Sequence, residues 1–485
     1  MKYVTEGYEP RDALRFFEDI AAIPRGSNNE RAVARYIYNW GKDLGLEAYK
    51  DEANNVILRK PGSKGCEDLP IISLQGHTDI VAVKLPESDH NFETDPLPLY
   101  VDDKGCLRSR GTTLGADNGN AVAYMMAVLA RNDLVHPPLE CIFTSGEEIG
   151  LVGATKLDGA QIKGDRLINM DAGGLNQAAT TVSCAGGLEM KHRTPAEWTE
   201  AKGSFVEIFI HGLQGGHSAG AIDKGRGNAG KIWARIVNHV SLFTKVNVVS
   251  AFGGKMQNAI QSDIKSVIAV EDLDIALREI EKTANDVKDE LRVTDPGFVC
   301  DVKVVEKADK MLTDEKSKNL VGFVLAVPVG VRDFNPEIKG AVLNSNNLAG
   351  VSVSDDEIMV WTLGRSNTDT MQEALGEEVR ALAEVFGYKS DIGAHFFGWK
   401  YNPDSKLRAL HTKLFKETFG IDLVPTATHG GLECGVFYGK KPTLDIICFG
   451  PKGDGAHTPE EYLDLASFKE IYDYLIKFLE ELTKV

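Results

Sequence analysis

Five short segments of this 485-residue chain bring together side chains that bind metals or move protons. The first, Gly76-His77-Thr78-Asp79, follows the apolar run IISLQ. Residues two apart in an extended backbone face the same side, so Asp79 can hold the His77 ring while the other imidazole nitrogen faces a metal. The second, Leu114-Gly115-Ala116-Asp117-Asn118-Gly119, is a glycine-flanked turn leading into a helical pattern. An Asp there ordinarily caps the helix. Its small neighbours also admit a second charged group, as a bridging carboxylate requires. The third, Ser145-Gly146-Glu147-Glu148-Ile149-Gly150, follows the apolar run LECIFTS. Two desolvated carboxylates repel unless a cation joins them, a conflict resolved if one binds metal and the other takes a proton from water. Solvated loop glutamates are the simpler reading of that segment alone. The fourth and fifth are Asn169-Met170-Asp171-Ala172-Gly173 and Gly455-Ala456-His457-Thr458-Pro459-Glu460. Together the segments offer two histidines and three carboxylates, enough for two metal ions if one carboxylate bridges them.

The elements that must position these groups alternate. Up to about residue 185, strand-like runs (LPIISLQ, LECIFTS, RLINMD) alternate with helical patterns such as Arg31 to Leu44 and Asn120 to Ala130. This predicts an α/β catalytic domain with a mostly parallel sheet flanked by helices. The five segments then fall at strand ends, where open α/β sheets bind ligands. Between residues 186 and 392 the texture changes to VEIFIHG, a helix from Gly230 to Phe243, VNVVSAFGG, IKSVIAV and a charged helix from Leu273 to Leu291. KNLVGFVLAVPVGV, an Asn-rich turn NSNN, the strand-like IMVWTLG and a helix from Thr370 to Phe386 follow, leaving room for two similar halves. We read 186–392 as an inserted α+β domain and 1–185 with 393–485 as the two parts of the domain it interrupts, closed by a helix from Ser467 to Thr483.

Composition narrows the classes further. With 71 acidic against 54 basic residues the formal charge is −17, which disfavours nucleic acid and anionic lipid as partners. The longest apolar stretch, Val321 to Val331, is broken by Pro328 and falls short of the roughly 20 residues a membrane helix needs. The charged N-terminus lacks a secretory pattern, and seven scattered cysteines form no CxxC pair, so reduced thiols in a cytoplasmic protein are expected.

HTD, LGADNG, GEEIG, MDAG and AHTPEE, in this order, resemble the M20 family of metallopeptidases, and most of all its aminoacyl-histidine dipeptidase subset. The likeness extends from IPRGSNNE near residue 23 to AHTPEE near 457. It implies two divalent metals, zinc foremost with manganese or cobalt compatible, a bridging Asp117, His77 and Asp171 on one metal, and Glu148 and His457 on the other. It further implies a water nucleophile, Glu147 as general base, and Asp79 fixing His77. In the inserted domain, read as a lid, His217 resembles an oxyanion-stabilising histidine. Asn258 and Arg365 resemble groups that grip a substrate carboxylate, Gly431 in HGGLECG resembles a backbone contact, and Cys434 reads as a packed thiol. Ala219, Gln261 and Thr458 depart from the usual pattern without removing a ligand or base.

The implied activity is hydrolysis of small dipeptides, Xaa-His foremost. An N-acyl amino acid deacylase or small-peptide carboxypeptidase on the same scaffold is the enzymatic alternative, and a non-catalytic metal-binding protein is the other. A lid of this size is also compatible with a homodimer formed through it.

Overall fold

The computed structural model describes residues 3–171 and 178–484. Ala172 and Gly173 of the fourth segment lie outside the described residues. The chain divides into two compact units, one made of Met1–Ser183, Trp399–Ala427 and Leu432–Val485, the other of Cys184–Gly398 with Thr428–Gly431.

The first unit is built on an eight-stranded sheet in the order Glu47–Lys50, Val56–Lys60, Leu139–Thr144, Ile72–His77, Arg166–Asn169, Asp445–Cys448, Ala179–Cys184, Val424–Thr428. The four central strands, beginning with Leu139–Thr144, are parallel. Antiparallel pairs flank them, so the sheet is mixed. The hairpin between Glu47–Lys50 and Val56–Lys60 shows why: so short a link permits only antiparallel pairing, whereas parallel neighbours need a crossover.

Ala116–Ala130 is that crossover's helix, and AVAYMMAVLA leaves it no polar face, so it is buried almost all round. Its Met125 and Tyr124 share one core with Leu14 and Phe17 of Arg11–Ala21, Ile37 of Arg31–Asp43, and Phe468 and Leu475 of Leu465–Glu481. Each such large side chain contributes about 1.5–3 kcal/mol of burial. The closing helix starts where Asp464 accepts the Ser467 N–H at 3.0 Å.

A separate four-stranded sheet, Gly453–Asp454, Tyr462–Asp464, Cys106–Ser109, Leu99–Val101, pairs Leu463 with Leu107. It draws the loop bearing His457 towards the turn bearing Asp117.

The second unit has a sheet ordered Val299–Val305, Ser204–His211, Ile264–Val270, Val246–Gly253, Val342–Val353, Glu357–Ser366, Gly186–Pro195, Lys389–Phe396, with Gly330–Phe334 paired to Val342–Val353. Two β-α-β-β-α-β halves account for this order. One uses the helices Ala229–Ser241 and Leu273–Glu290, the other Asp314–Ala326 and Asp369–Val385. In each, the fourth strand lies outside the first, then come the third and second. The second strands meet at Phe252↔Ser352 and Gly253↔Val351. Trp233, Ile280, Phe323 and Val379, one from each helix, share the unit's core.

One expectation is corrected here. NSNN is not a turn: Asn344–Asn347 lie within Val342–Val353 and are buried. Their amides serve as fixed donors, Asn347 Nδ2 to Ala259 O at 2.8 Å and Asn346 Nδ2 to Pro328 O at 2.8 Å, while Asn344 Oδ1 and Asn347 Oδ1 are buried without a partner. KNLVGFVLA forms most of the helix Asp314–Ala326, ended before Pro328. The seven cysteines are free thiols, with Cys434 fully buried, and among the described residues no helix is long and apolar enough to cross a membrane.

Candidate metal centre

His77 is the last residue of its strand, Glu147 and Glu148 follow Leu139–Thr144, and Asp171 follows Arg166–Asn169. These three strands are parallel neighbours, so their C-terminal ends deliver the groups to one place. Asp117 and His457 arrive differently from the strand ends expected. Asp117 sits in the first turn of Ala116–Ala130, ahead of a cis Asp117–Asn118 peptide, and His457 in the loop between two strands of the small sheet. His457 has φ 67°, a left-handed backbone that costs a non-glycine residue about 1–2 kcal/mol and collects at functional sites.

Asp117 stands at the centre, one carboxylate oxygen toward each histidine. Its Oδ1 lies 3.0 Å from His77 Nε2, and its Oδ2 lies 3.3 Å from His457 Nε2. Asp171 Oδ1 is 3.6 Å from the same His77 nitrogen, and Glu148 Oε2 is 3.0 Å from the same His457 nitrogen. Ligand atoms of His77, Asp117 and Asp171 lie within 4.8 Å of one another, as do those of Asp117, Glu148 and His457, and those of His77, Glu147 and Glu148. The first two of these three sets share the Asp117 carboxylate, and the third places Glu147 at their edge. Glu148 Oε1 is buried without a hydrogen-bond partner, as expected of a group whose partner is a cation.

Charge points the same way. Burial disfavours a charged His77, yet Asp171, Asp117 and Asp79 outweigh it and hold the ring well above its usual pKa. Hydrogen bonds donated to the Asp117 and Glu148 carboxylates push His457 up to about 10. Burial and the charge of Asp117 raise Asp171 to about 8. Glu147 is also held well above the carboxylate range, first by burial and then by Asp171, Glu433 and Glu148 acting against His77. The protein alone retains protons here because its carboxylates outnumber its positive charges, and divalent cations would fill that role.

Asp79 does more than the sequence suggested. The His77 Nδ1 lies 3.1 Å from the Asp79 backbone oxygen and 3.5 Å from its Oδ1. The Asp79 carboxylate accepts the Glu147 N–H at 3.0 Å, the Glu148 N–H at 3.3 Å and the Ser27 hydroxyl at 2.8 Å. It thereby joins the histidine's strand to the glutamate turn.

Two residues escaped the sequence reading. Glu461, buried, accepts four backbone N–H groups at the entry to Ala116–Ala130: Leu114 and Gly115 on Oε2 at 2.8 and 2.9 Å, Ala116 and Asp117 on Oε1 at 2.9 and 3.2 Å. The N-cap role considered for Asp117 thus belongs to Glu461, leaving both Asp117 oxygens free. Arg25, buried within IPRGS, donates to Thr78 O at 2.9 Å and Gly115 O at 2.8 Å, bracing two ligand-bearing segments. An arginine amid apolar and small residues was the available signal for Arg25. Nothing separates Glu461 from Glu460 in the sequence.

His217, Asn258, Arg365 and Gly431 belong to the second unit. His217 pairs with Ala259, and the Ser218 N–H donates to Asn258 O at 2.7 Å. Arg365, buried, donates from Nε to Ser218 Oγ at 3.2 Å, so three of the four residues converge. Burial lowers the Arg365 pKa to about 10, and no carboxylate is paired with it among the described residues. His429, also unforeseen, is buried nearby with Nε2 2.7 Å from Ser345 Oγ. Gly431 has a packing reason to be glycine, since a Cβ there would lie 2.7 Å from the Phe396 ring.

Residues 73–481 match the profile of peptidase family M20/M25/M40. A cytosol non-specific dipeptidase from Escherichia coli (strain K12) is 30% identical over 482 residues, covering 98% of each chain. The crystal structure of an aminoacylhistidine dipeptidase from Vibrio alginolyticus superposes with TM-score 0.90 at 28% identity, over 99% of this chain and 98% of that one. A tripeptidase from Staphylococcus aureus shares the fold at TM-score 0.56 and 16% identity, over 99% and 100%. With its ordered motifs converging on one centre and the profile matched over most of its length, this chain belongs to peptidase family M20/M25/M40.

Proposed function

We propose that this protein is a two-metal dipeptidase that hydrolyses small dipeptides, Xaa-His foremost. The observation that carries the reading is Asp117, whose two oxygens each face a different histidine and divide five ligands into two sets. The full-length likeness to two dipeptidases supports the substrate class. Histidine and carboxylate ligands suit zinc first, with manganese and cobalt as alternatives. Bound there, two divalent cations would acidify a water and polarise the scissile carbonyl.

The remaining work falls to the chain itself. Glu147, whose proton affinity is raised by burial, takes the water's proton and passes it to the leaving amine. Asp79 holds His77 and the Glu147–Glu148 turn in register. His217 is assigned to the developing oxyanion, and the unpaired Arg365 with Asn258 to the substrate's terminal carboxylate, which a planar guanidinium matches. Gly431 is assigned a backbone contact with substrate, and the second unit the part of a lid. The Escherichia coli relative's cytosolic name makes the cytoplasm the proposed location.

Changing Glu147 to Ala tests the assignment of the base. The variant should retain two metals by elemental analysis while kcat on Ala-His falls at least about a thousandfold, within the range of lost acid–base catalysis. Turnover close to wild type would remove Glu147 from the mechanism. Cleavage of N-acetyl amino acids in preference to Ala-His, Gly-His and β-Ala-His would replace the dipeptidase reading with the deacylase one.

A further inference from the structure

One buried carboxyl of the first unit is absent from the chemistry above. Glu433, in HGGLECG, opens the helix Glu433–Lys440 and is fully buried. Its Oε2 accepts the Gln75 amide at 2.5 Å and the Thr144 hydroxyl at 2.7 Å. Its Oε1 is buried with no partner, and no cationic side chain is paired with it among the described residues. A group this expensive to bury calls for a reason.

The contacts continue across the sheet. Asn169 Nδ2 donates to Gln75 Oε1 at 2.6 Å, and Cys448 Sγ donates to Asn169 Oδ1 at 2.8 Å. Thr144, Gln75, Asn169 and Cys448 lie on four adjacent parallel strands, all at their C-terminal ends. Glu433 is therefore the keystone of a buried polar chain running beneath the metal centre. The registers matter: Gln75 is two residues before His77, Asn169 is two before Asp171, and Thr144 precedes the Glu147–Glu148 turn. In a strand, residues two apart share a face, so fixing one fixes the outlook of the other. Asn169 Oδ1 also accepts the Asp171 N–H at 3.0 Å, carrying the chain to a ligand's own backbone.

We propose that Glu433 is a positioning residue for the hydrolysis: through Gln75 and Thr144 it sets the spacing of the strand ends that present His77, Glu147, Glu148 and Asp171. The proposal rests on the two-metal reading. Because both donors converge on one oxygen, an amide in place of the carboxyl can satisfy them equally well. Burial already raises the Glu433 carboxyl to about 7, so its neutral form is close at hand.

The test compares full-length E433Q, E433L and T144V with wild type for thermal unfolding, zinc affinity against a chromophoric chelator, and kcat and KM on Ala-His. E433Q should stay within about threefold of wild type in kcat and zinc affinity. E433L, folded, should lose 10–100-fold in zinc affinity or kcat with KM within twofold, the range seen when groups behind metal ligands are removed. T144V, which deletes one donor and keeps the shape, should show the same pattern at smaller amplitude, and it decides the matter if E433L does not fold. A folded E433L with wild-type zinc affinity and kcat overturns the proposal. So does a T144V indistinguishable from wild type, or an E433Q as damaged as E433L, which would assign the effect to charge. Failure of the two-metal reading looks different, since wild type itself would then bind no zinc pair.

Discussion

The bridge proposed for Asp117 needs its carboxylate clear of backbone donors, and other side chains satisfy the backbone around it. Glu461 takes four N–H groups at the entry to Ala116–Ala130, and Arg25 holds the Thr78 and Gly115 carbonyls. Changing Glu461 to Ala leaves those donors unmet, each a loss of about 1–3 kcal/mol. Denaturant unfolding of E461A should show at least about 2 kcal/mol less stability, with zinc affinity reduced and restored by excess metal. Unchanged stability would contradict the capping role. The residues that converge were legible because histidine, Asp and paired Glu after apolar runs have few structural uses in common. Glu461 was not, because a capping carboxylate far along the chain leaves no local pattern, and Asp117 itself looked like the cap.

The strands and helices carry the spacing. Gly76 is glycine because a Cβ there would lie 2.3 Å from Asn118 Oδ1 and 2.4 Å from Ala121 Cβ, so the bare backbone of the His77 strand packs against side chains of the Asp117 helix. Changing Gly76 to Ala must part them, costing about 1–3 kcal/mol of overpacking. Both the unfolding midpoint and zinc affinity should fall together in G76A. A fall in stability with full zinc affinity would show that this contact does not set the ligand distance. Helices such as Arg31–Asp43 and Leu273–Glu290 were readable within a residue or so from their apolar periodicity. The buried strand Val342–Val353 was not, since the amide donors of Asn344, Asn346 and Asn347 find acceptors outside the strand and local composition reads as a turn. The small sheet that brings His457 to Asp117 has strands too short to announce themselves.

Across the whole molecule, four histidines are buried away from the centre with a lowered pKa, His136 and three that are shifted further. His411 in the first unit is lowered to about 3, and His192 and His429 in the second to about 4, each chiefly by burial. A histidine whose folded pKa is depressed contributes its full share of stability above the unfolded value near 6.5. That share is lost as pH falls toward the folded value, by up to about 1.4 kcal/mol per pH unit per group. Asp171, Glu147, Glu433 and His457 titrate in the opposite sense in the metal-free protein, so one ring's share is read by difference: between pH 7.5 and pH 5 a folded H411N should lose less denaturant stability, or gain more, than wild type. The same pH dependence in wild type and H411N would contradict the burial of a neutral His411 ring. The pair of cations remains the central claim, and the most direct measurement is an anomalous-scattering map of crystals grown with zinc. The account predicts two peaks about 3.5–4 Å apart, one between His77 and Asp171, the other between His457 and Glu148, with an Asp117 oxygen on each. A single peak, or zinc bound away from Asp117, would contradict it.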